Sequence, residues 1–497
     1  MATQNKNKYL PLKEWIFYLV AVFFYTNMTG MIAGYRNAYF VDILQIPSGH
    51  MSFFNVFGSI AGFVMSFVYA MILDNKKIGK QGKFRPLGIA FAIPCGLVTV
   101  LMFAIPNFIQ QHPIILLVYI CALALIQGFV FYFGGTVNMV AVVMSPDSRE
   151  REQLISFRSI SSAVGNSAPL VIVLVMGLII KAVTGEKNTA LNYLLSAILC
   201  GVVGTITMLL GMSTVKERIT YRQQEKKNPL EGFGDVLKNK HARTVLFSEF
   251  LKSFRGLATF MQPFIAAAMM GSTDKTLIFA LPVGIGTMVG MLIINALLKK
   301  FSSRVLYIAS GTYSLVMNIL TFIVGYFYLS AGRPAWLNII FIAFLFLTGL
   351  QFGASNLLPS MFKADILDDL ELNTGKRLDA GIEFVCSIGS TAGSAIASAL
   401  APLFLYAEKG GIAIIQYQTG LEDGTLQSMR TKLLLLFFYT VVHGIFMFLA
   451  GVPFFRYKLT GAERARVHSE VLARREAIAE AEGAMDASAE LLDAAEK

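Results

Sequence analysis

Long apolar segments with almost no charge make up most of this chain. Residues 171–180, for example, read VIVLVMGLII. A helix needs about 20 mostly apolar residues to cross the hydrocarbon of a bilayer, whereas a membrane barrel strand has about ten residues of alternating polarity. These segments do not alternate, and lipid offers no water to an unpaired backbone group. The pattern therefore predicts an all-α integral membrane protein.

Twelve such segments follow one another along the sequence. The predicted spans are 14–40, 50–73, 86–105, 114–143, 158–181, 190–212, 244–270, 276–298, 304–330, 336–361, 380–406 and 430–456. Only 15% of the 497 residues are charged, whereas soluble domains carry about 25%. This composition favours one membrane body over several soluble domains.

Lysine and arginine residues cluster in alternate loops. An even number of spans places both termini on one face, and that face holds 32 of the 42 Lys and Arg residues. The positive-inside rule makes this face cytoplasmic. We therefore expect a multi-pass protein of the plasma membrane with both termini in the cytoplasm. Since topology accounts for the basic charge and no nucleic-acid motif occurs, the expected partners are the lipid bilayer and a small solute.

A hydrophilic stretch divides the spans into six and six. The predicted regions are an N-terminal half (1–212), a cytoplasmic linker (213–243), a C-terminal half (244–457) and an amphipathic or flexible cytoplasmic tail (458–497). A short basic turn recurs between the second and third spans of each half, as DNKKIGKQGKFR and KKFSSR. Parallel repeats with a midplane site between them are a transporter architecture.

Four charged sequence motifs follow one another along the chain. They are DNKKIGKQGKFRP at 74–86, DSREREQLISFR at 147–158, GKRLD at 375–379 and YKLTGAERARV after the last span. Together they resemble the glycoside–pentoside–hexuronide:cation symporter family, the melibiose-carrier branch of the major facilitator superfamily. The resemblance implies two pseudo-symmetric six-helix halves that move a carbohydrate by alternating access. It also implies a coupling ion, Na⁺ or H⁺. We expect no cofactor and a monomer.

The chain departs from this family inside the membrane. Aligned with the family, its paired span-two aspartates fall at Gly62 and Ser66, and its span-four acid falls at Gly134. The acidic sugar ligand of span one falls near Thr26 and Asn27, and the basic residue of span eleven at Thr391. Because hard cations prefer charged oxygen ligands, the usual sodium coupling of the family is in doubt.

The charges that do lie within the predicted membrane region are mainly basic. Arg255 lies about 18 Å along span seven from its cytoplasmic end, at about 1.5 Å per residue. A charge at that depth costs on the order of 2.5–3.5 kcal/mol on insertion scales, so it is a functional candidate. With Arg158 at the start of span five, it favours an anionic solute such as a hexuronide.

The predicted site residues form two sets. The substrate-binding candidates are Thr26, Asn27, Asn138, Arg158, Arg255, Gln351, Asn356 and Thr391. The candidates for a cytoplasmic gate are Asp74, Lys83, Arg85, Arg151, Asp365 and Arg377. Ion pairs that form in one conformation and break in another would suit such a gate.

The sequence shows no pattern typical of a metal site or of an enzyme. The five histidines and four cysteines show no metal-ligand spacing, and no nucleophile–base pattern indicates an enzyme. Two alternatives to a sugar carrier stay open: a lipid or lysolipid carrier, and a membrane sensor that does not transport.

Overall fold

The computed structural model describes residues 10–75, 82–145, 148–218, 233–375, 379–407, 413–421, 423–471 and 473. Every regular element within these residues is helical. The α-helices are α1 Leu12–Ala38, α2 Ser48–Asn75, α3 Arg85–Leu101, α4 Asn107–Gln110, α5 Pro113–Gly134, α6 Ala141–Met144, α7 Ser148–Thr184, α8 Thr189–Thr214, α9 Phe233–Lys238, α10 Lys240–Ser253, α11 Arg255–Met270, α12 Thr276–Leu297, α13 Ser303–Ser330, α14 Ala335–Thr374, α15 Asp379–Leu405, α16 Met429–Phe437 and α17 His443–Gly451. Residues 461–471 form a further helix, called here the tail helix.

Short 3₁₀ and π segments connect several of these helices. The 3₁₀ segments are Gly135–Asn138, Thr273–Lys275, Gly424–Leu426 and Val452–Arg456. The two π-helical segments are Tyr39–Ile43, which continues α1, and Phe438–Val442, which joins α16 to α17. A π-helical turn is rare and is found frequently at functional sites.

Ten segments of the described residues are long and apolar enough to cross a membrane. The other two predicted spans are present in altered form. The span predicted at 86–105 is the 17-residue apolar helix α3. The span predicted at 244–270 is divided into α10 and α11, which meet at Phe254. The twelve predicted spans are therefore compatible with the helices observed.

Side-chain caps explain several helix starts. The Asn188 side chain accepts a hydrogen bond from the N–H of Leu191 at the start of α8, and Asn239 accepts two at the start of α10. Such caps satisfy N–H groups that have no partner within the helix. Helix α14 ends at Gly375, whose φ of 72° is left-handed and suits glycine.

Contacts divide the chain into two compact units. The first unit comprises Met1–Lys226, Gly256–Leu281 and Ala395–Tyr439, and the second comprises Lys227–Arg255, Pro282–Ser394 and Thr440–Lys497. The predicted division into halves on either side of 213–243 stays a prediction.

In the first unit, α1 packs against α7 and α8. Glycines permit this close approach: a Cβ on Gly30 would overlap the carbonyl of Asn166, and one on Gly165 would overlap the carbonyl of Phe23. Small residues let membrane helices pack backbone to backbone. The contact places the polar face of α7 beside α1.

In the second unit, α13 packs against α14 and α17, and α10 packs against α17. The rings of Phe362, Phe454 and Tyr457 meet at the centre of its apolar core. Val467 and Val471 of the tail helix belong to the same core, with 2% and 1% of their surfaces exposed. The tail helix is therefore part of the second unit.

Candidate functional site

The first unit contains an open, polar cavity of about 590 Å³. Helices α1 and α7 supply most of its wall, and Asn138 is contributed by the 3₁₀ segment after α5. The lining residues are Tyr25, Thr26, Thr29, Asn138, Arg158, Ser159, Ser162, Ala163 and Asn166. Hydroxyls, amides and one guanidinium dominate this list, and it includes no carboxylate. The cavity volume lies within the range of about 300–1,000 Å³ that is typical of small-molecule sites.

Hydrogen bonds to the backbone hold the cavity side chains in place. Arg158 Nη1 donates to the carbonyl oxygen of Asn138 at 2.6 Å. The Tyr25 hydroxyl donates to the carbonyl of Phe131 at 2.7 Å. The Thr26 hydroxyl donates to carbonyls one turn earlier in α1. Because Arg158 has five N–H donors, its bond to Asn138 leaves others for a ligand.

Three predicted ligands, Thr26, Asn138 and Arg158, come together in this cavity. Asn27 is not among its lining residues. That side chain is fully buried, and neither amide atom has a hydrogen-bond partner among the described residues. The sequence-based reasoning missed Ser159, Ser162 and Asn166. Their spacing from Arg158 along α7 marks one helical face and could have revealed them.

A second polar cluster lies in the second unit around Arg255. The guanidinium carbon of Arg255 is 4.7 Å from the ring centroid of Phe352, in a cation–π contact. The Phe352 ring in turn lies 5.2 Å from that of His443. Gln351 Nε2 is 3.4 Å from Nε2 of His443. The structure thus brings the predicted residues Arg255 and Gln351 close to a histidine that the sequence-based reasoning did not select.

For the remaining predicted ligands of the second unit, the structure shows how far each residue is exposed. Asn356 is exposed and Thr391 is half-buried, and their roles stay predictions. Glu249 and Lys252, one turn before Arg255, form a half-buried ion pair at 2.6 Å. Glu249 and Lys252, the two other charged residues of the predicted seventh span, thus neutralise each other.

The predicted gate residues have varied surroundings. Arg377 and the side chain of Asp74 lie outside the described residues, and Arg151 is half-buried. Arg85 donates to the carbonyls of Met212 and Ser213, at 3.0 and 2.6 Å. Asp365 pairs at 2.8 Å with Arg464 of the tail helix. A gating role for these residues stays a prediction.

A carboxylate that the prediction omitted organises the loop before α3. Glu217 accepts hydrogen bonds from the backbone N–H groups of Lys83, Phe84 and Arg85, at 2.9, 2.8 and 2.6 Å. The next residue, Arg218, forms a bidentate ion pair with Glu14 at the start of α1. The consecutive residues Glu217 and Arg218 thus connect the segment after α8 to the starts of α3 and α1.

Comparison with known proteins identifies the family. Residues 17–461 match a protein family described as MFS/sugar transport protein, where MFS denotes the major facilitator superfamily. The chain belongs to this family. This sugar-transport family is the one that the motif resemblance implied, and membership confirms a multi-pass membrane transporter rather than an enzyme.

Individual relatives are distant but cover most of the chain. The chain is 24% identical to "Putative glycoside/cation symporter YagG" of Escherichia coli (strain K12), over 89% of this chain and 91% of that protein. It is 22% identical to the isoprimeverose transporter of Lactiplantibacillus pentosus, over 80% and 81% of the two chains. The crystal structure of the nucleoside transporter NupG matches with a TM-score of 0.60, at 13% identity, over 90% of this chain and 100% of that one. The structural match confirms the fold expected for this sugar-transport family.

Proposed function

We propose that the protein is a cation-coupled carrier of a glycoside or related carbohydrate in the plasma membrane, with both termini cytoplasmic. It works by alternating access. The observation that carries the proposal is the polar cavity of the first unit, since its hydroxyls, amides and guanidinium match the hydrogen-bonding groups of a sugar. The names of two relatives, a glycoside/cation symporter and an isoprimeverose transporter, support the same solute class and a coupling cation.

The cavity also separates this function from a lipid carrier. A lipid carrier would need an apolar wall for acyl chains, whereas eight of the nine lining residues carry a polar side-chain group. Arg158 and Arg255 favour the acidic members of the carbohydrate class, the hexuronides. Within the class, the proposed role of Arg158 is to donate hydrogen bonds to sugar oxygens.

Uptake by proteoliposomes tests the proposal. The probes are radiolabelled methyl β-D-glucoside and methyl β-D-glucuronide, offered under an inward cation gradient. We expect uptake of at least one probe by the unchanged protein, and a fall of about tenfold or more in Arg158→Gln. Losing a hydrogen bond to a charged donor costs about 1.5–3 kcal/mol.

Arg430→Gln is the matched control, because Arg430 is an exposed arginine of the first unit outside the cavity. Its uptake should equal that of the unchanged protein. Absence of uptake of both probes would contradict carbohydrate transport. Equal uptake by the Arg158 and Arg430 variants would contradict the assignment of the cavity.

A further inference from the structure

His443 is a buried histidine at a local irregularity of the last membrane helix. It follows directly on the π-helical segment Phe438–Val442, and 6% of its surface is exposed. Its Nδ1 atom is buried without a hydrogen-bond partner among the described residues. A buried polar atom normally has a partner, so an orphaned imidazole nitrogen calls for an explanation.

The other ring nitrogen faces a group that can serve either protonation state. Gln351 Nε2 lies 3.4 Å from Nε2 of His443, while Gln351 Oε1 accepts from the Ser355 hydroxyl at 3.2 Å. A glutamine amide offers donors on one atom and an acceptor on the other. By turning over, it can donate to a neutral imidazole or accept from a charged one. The neighbour of His443 is therefore suited to a ring that gains and loses a proton.

The charged surroundings of His443 are dominated by Arg255. The guanidinium carbon of Arg255 and the ring of His443 lie 4.7 and 5.2 Å from the centroid of the same Phe352 ring. The ion pair Glu249–Lys252 on α10 is internally compensated. From α13, Ser314 and Asn318 lie against the neighbouring Gly444, and neither titrates. Helix α14 contributes Gln351 and Phe352.

Arg255 is also accessible. It is the exposed first residue of α11 and lies near the middle of the predicted span 244–270. Facing hydrocarbon at that depth would cost about 2.5–3.5 kcal/mol, so we expect the exposed side to face a water-filled path. The guanidinium is always charged and matches the geometry of a carboxylate. An anionic solute on that path can reach it.

These contacts can couple the binding of an anion to the binding of a proton. Positive charges on the two groups that contact Phe352 repel each other, and the burial of the His443 ring limits screening by water. Arg255 therefore opposes a proton on His443. A carboxylate bound at Arg255 offsets its charge and removes this opposition. Binding of the anion and binding of the proton then favour each other by the same factor.

We propose that His443 carries the coupling proton, taken up from water when the carboxylate of a transported uronide pairs with Arg255. The proposal rests on the carbohydrate transport proposed above and names both the solute class and the ion. It also supplies a titratable group within the predicted twelfth span, 430–456.

The test measures binding and proton uptake together on the purified full-length protein. The probes are methyl β-D-glucuronide and the neutral methyl β-D-glucoside, titrated calorimetrically in buffers of different ionisation enthalpy from acidic to mildly alkaline pH. For the unchanged protein we expect a single proton to be taken up with each glucuronide. Between the titration midpoint of His443 in the free protein and its higher midpoint in the complex, the Kd for glucuronide should rise about tenfold per pH unit. The glucoside should bind without proton uptake.

His443→Gln should bind glucuronide without proton uptake and without this pH dependence. His50→Gln, which changes another membrane-region histidine in the first unit, is the matched control and should behave as the unchanged protein. Arg255→Gln keeps the experiment decisive if the His443 variant does not fold. It should lose tenfold or more of its glucuronide affinity, together with the linked proton uptake, and keep its glucoside affinity.

Some outcomes would overturn the proton site while leaving carbohydrate transport intact. These are glucuronide binding by the unchanged protein without proton uptake, proton uptake that persists in His443→Gln or Arg255→Gln, and binding of the glucoside alone. Absence of binding of either sugar would instead contradict the proposed function itself.

Discussion

Glu217 shows how a single carboxylate can organise the start of a membrane helix. The first N–H groups of a helix have no partner within it, and the helix dipole favours a negative charge at that end. Glu217 meets both needs for α3, since it accepts hydrogen bonds from the N–H groups of Lys83, Phe84 and Arg85. This contact joins residues that are more than 130 positions apart.

Replacing Glu217 should therefore destabilise the protein. We expect Glu217→Ala to lower the free energy of unfolding by about 1.5–3 kcal/mol, the usual contribution of a hydrogen bond to a charged group. Thermal unfolding in detergent, followed by tryptophan fluorescence, measures the change. Glu186→Ala removes an exposed loop carboxylate and should leave the melting temperature unchanged. Equal melting temperatures for the two variants would contradict the capping role.

Some single residues of the candidate site could be predicted from the sequence. A charge beside or within an apolar run is costly, which is why Arg158 and Arg255 could be selected from the sequence. The roles of Glu217 and His443 could not be read in the same way. Glu217 lies in a stretch full of charges, and its importance comes from helix α3, which is distant in sequence. His443 acquires its surroundings only when Gln351 and Phe352 of α14 pack beside it.

Among the secondary-structure elements, the tail helix is the clearest feature that the structure adds to the sequence prediction. The sequence predicted an amphipathic or flexible tail over residues 458–497. In the structure, Val467 and Val471 insert into the core of the second unit. Arg464 pairs with Asp365, and His468 contacts Asp368 at 3.2 Å. The spacing of the two valines on one helical face produces this docking.

Disrupting the apolar side of the tail helix should release it from the second unit. Val467→Ser should lose about 1.5–3 kcal/mol of docking free energy, the value of burying a valine-sized side chain. The expected result is trypsin cleavage after Arg464 and Arg466 that is about tenfold faster or more, because cleavage follows local opening. Ser469→Ala, on the exposed side of the same helix, is the control. Unchanged cleavage in Val467→Ser would show that the valine does not hold the helix.

The interruptions within the membrane helices were harder to predict than the helices themselves. Apolar length reveals a span, but it does not reveal where the hydrogen-bond ladder changes. The predicted segment 244–270 therefore gave no sign of the break at Phe254. The π-helical segment Phe438–Val442 lies in equally apolar sequence, and Tyr39–Ile43 contains a single charged residue, Asp42. Such changes depend on the packing of neighbouring helices.

For the whole molecule, the hydrophobic pattern determined most of what could be predicted. The penalty for an unpaired backbone group in lipid permits only helices in such a chain, and the family match over residues 17–461 confirms the resulting fold. The orientation in the membrane follows from a weaker physical bias. It depends on the distribution of Lys and Arg among the loops, so it calls for direct measurement.

Cysteine labelling in intact cells tests this orientation. The background replaces the native cysteines by alanine, at Cys95, Cys121, Cys200 and Cys386. Glu186 lies in the exposed loop between α7 and α8, and Lys300 lies in the exposed loop between α12 and α13. With both termini cytoplasmic, Glu186→Cys should react from outside with a membrane-impermeant maleimide, whereas Lys300→Cys should react only after permeabilisation. The cysteine-free background gives the baseline of labelling. The reverse pattern would place the basic loops outside and contradict the orientation, and labelling of both positions in intact cells would contradict an odd number of crossings between them.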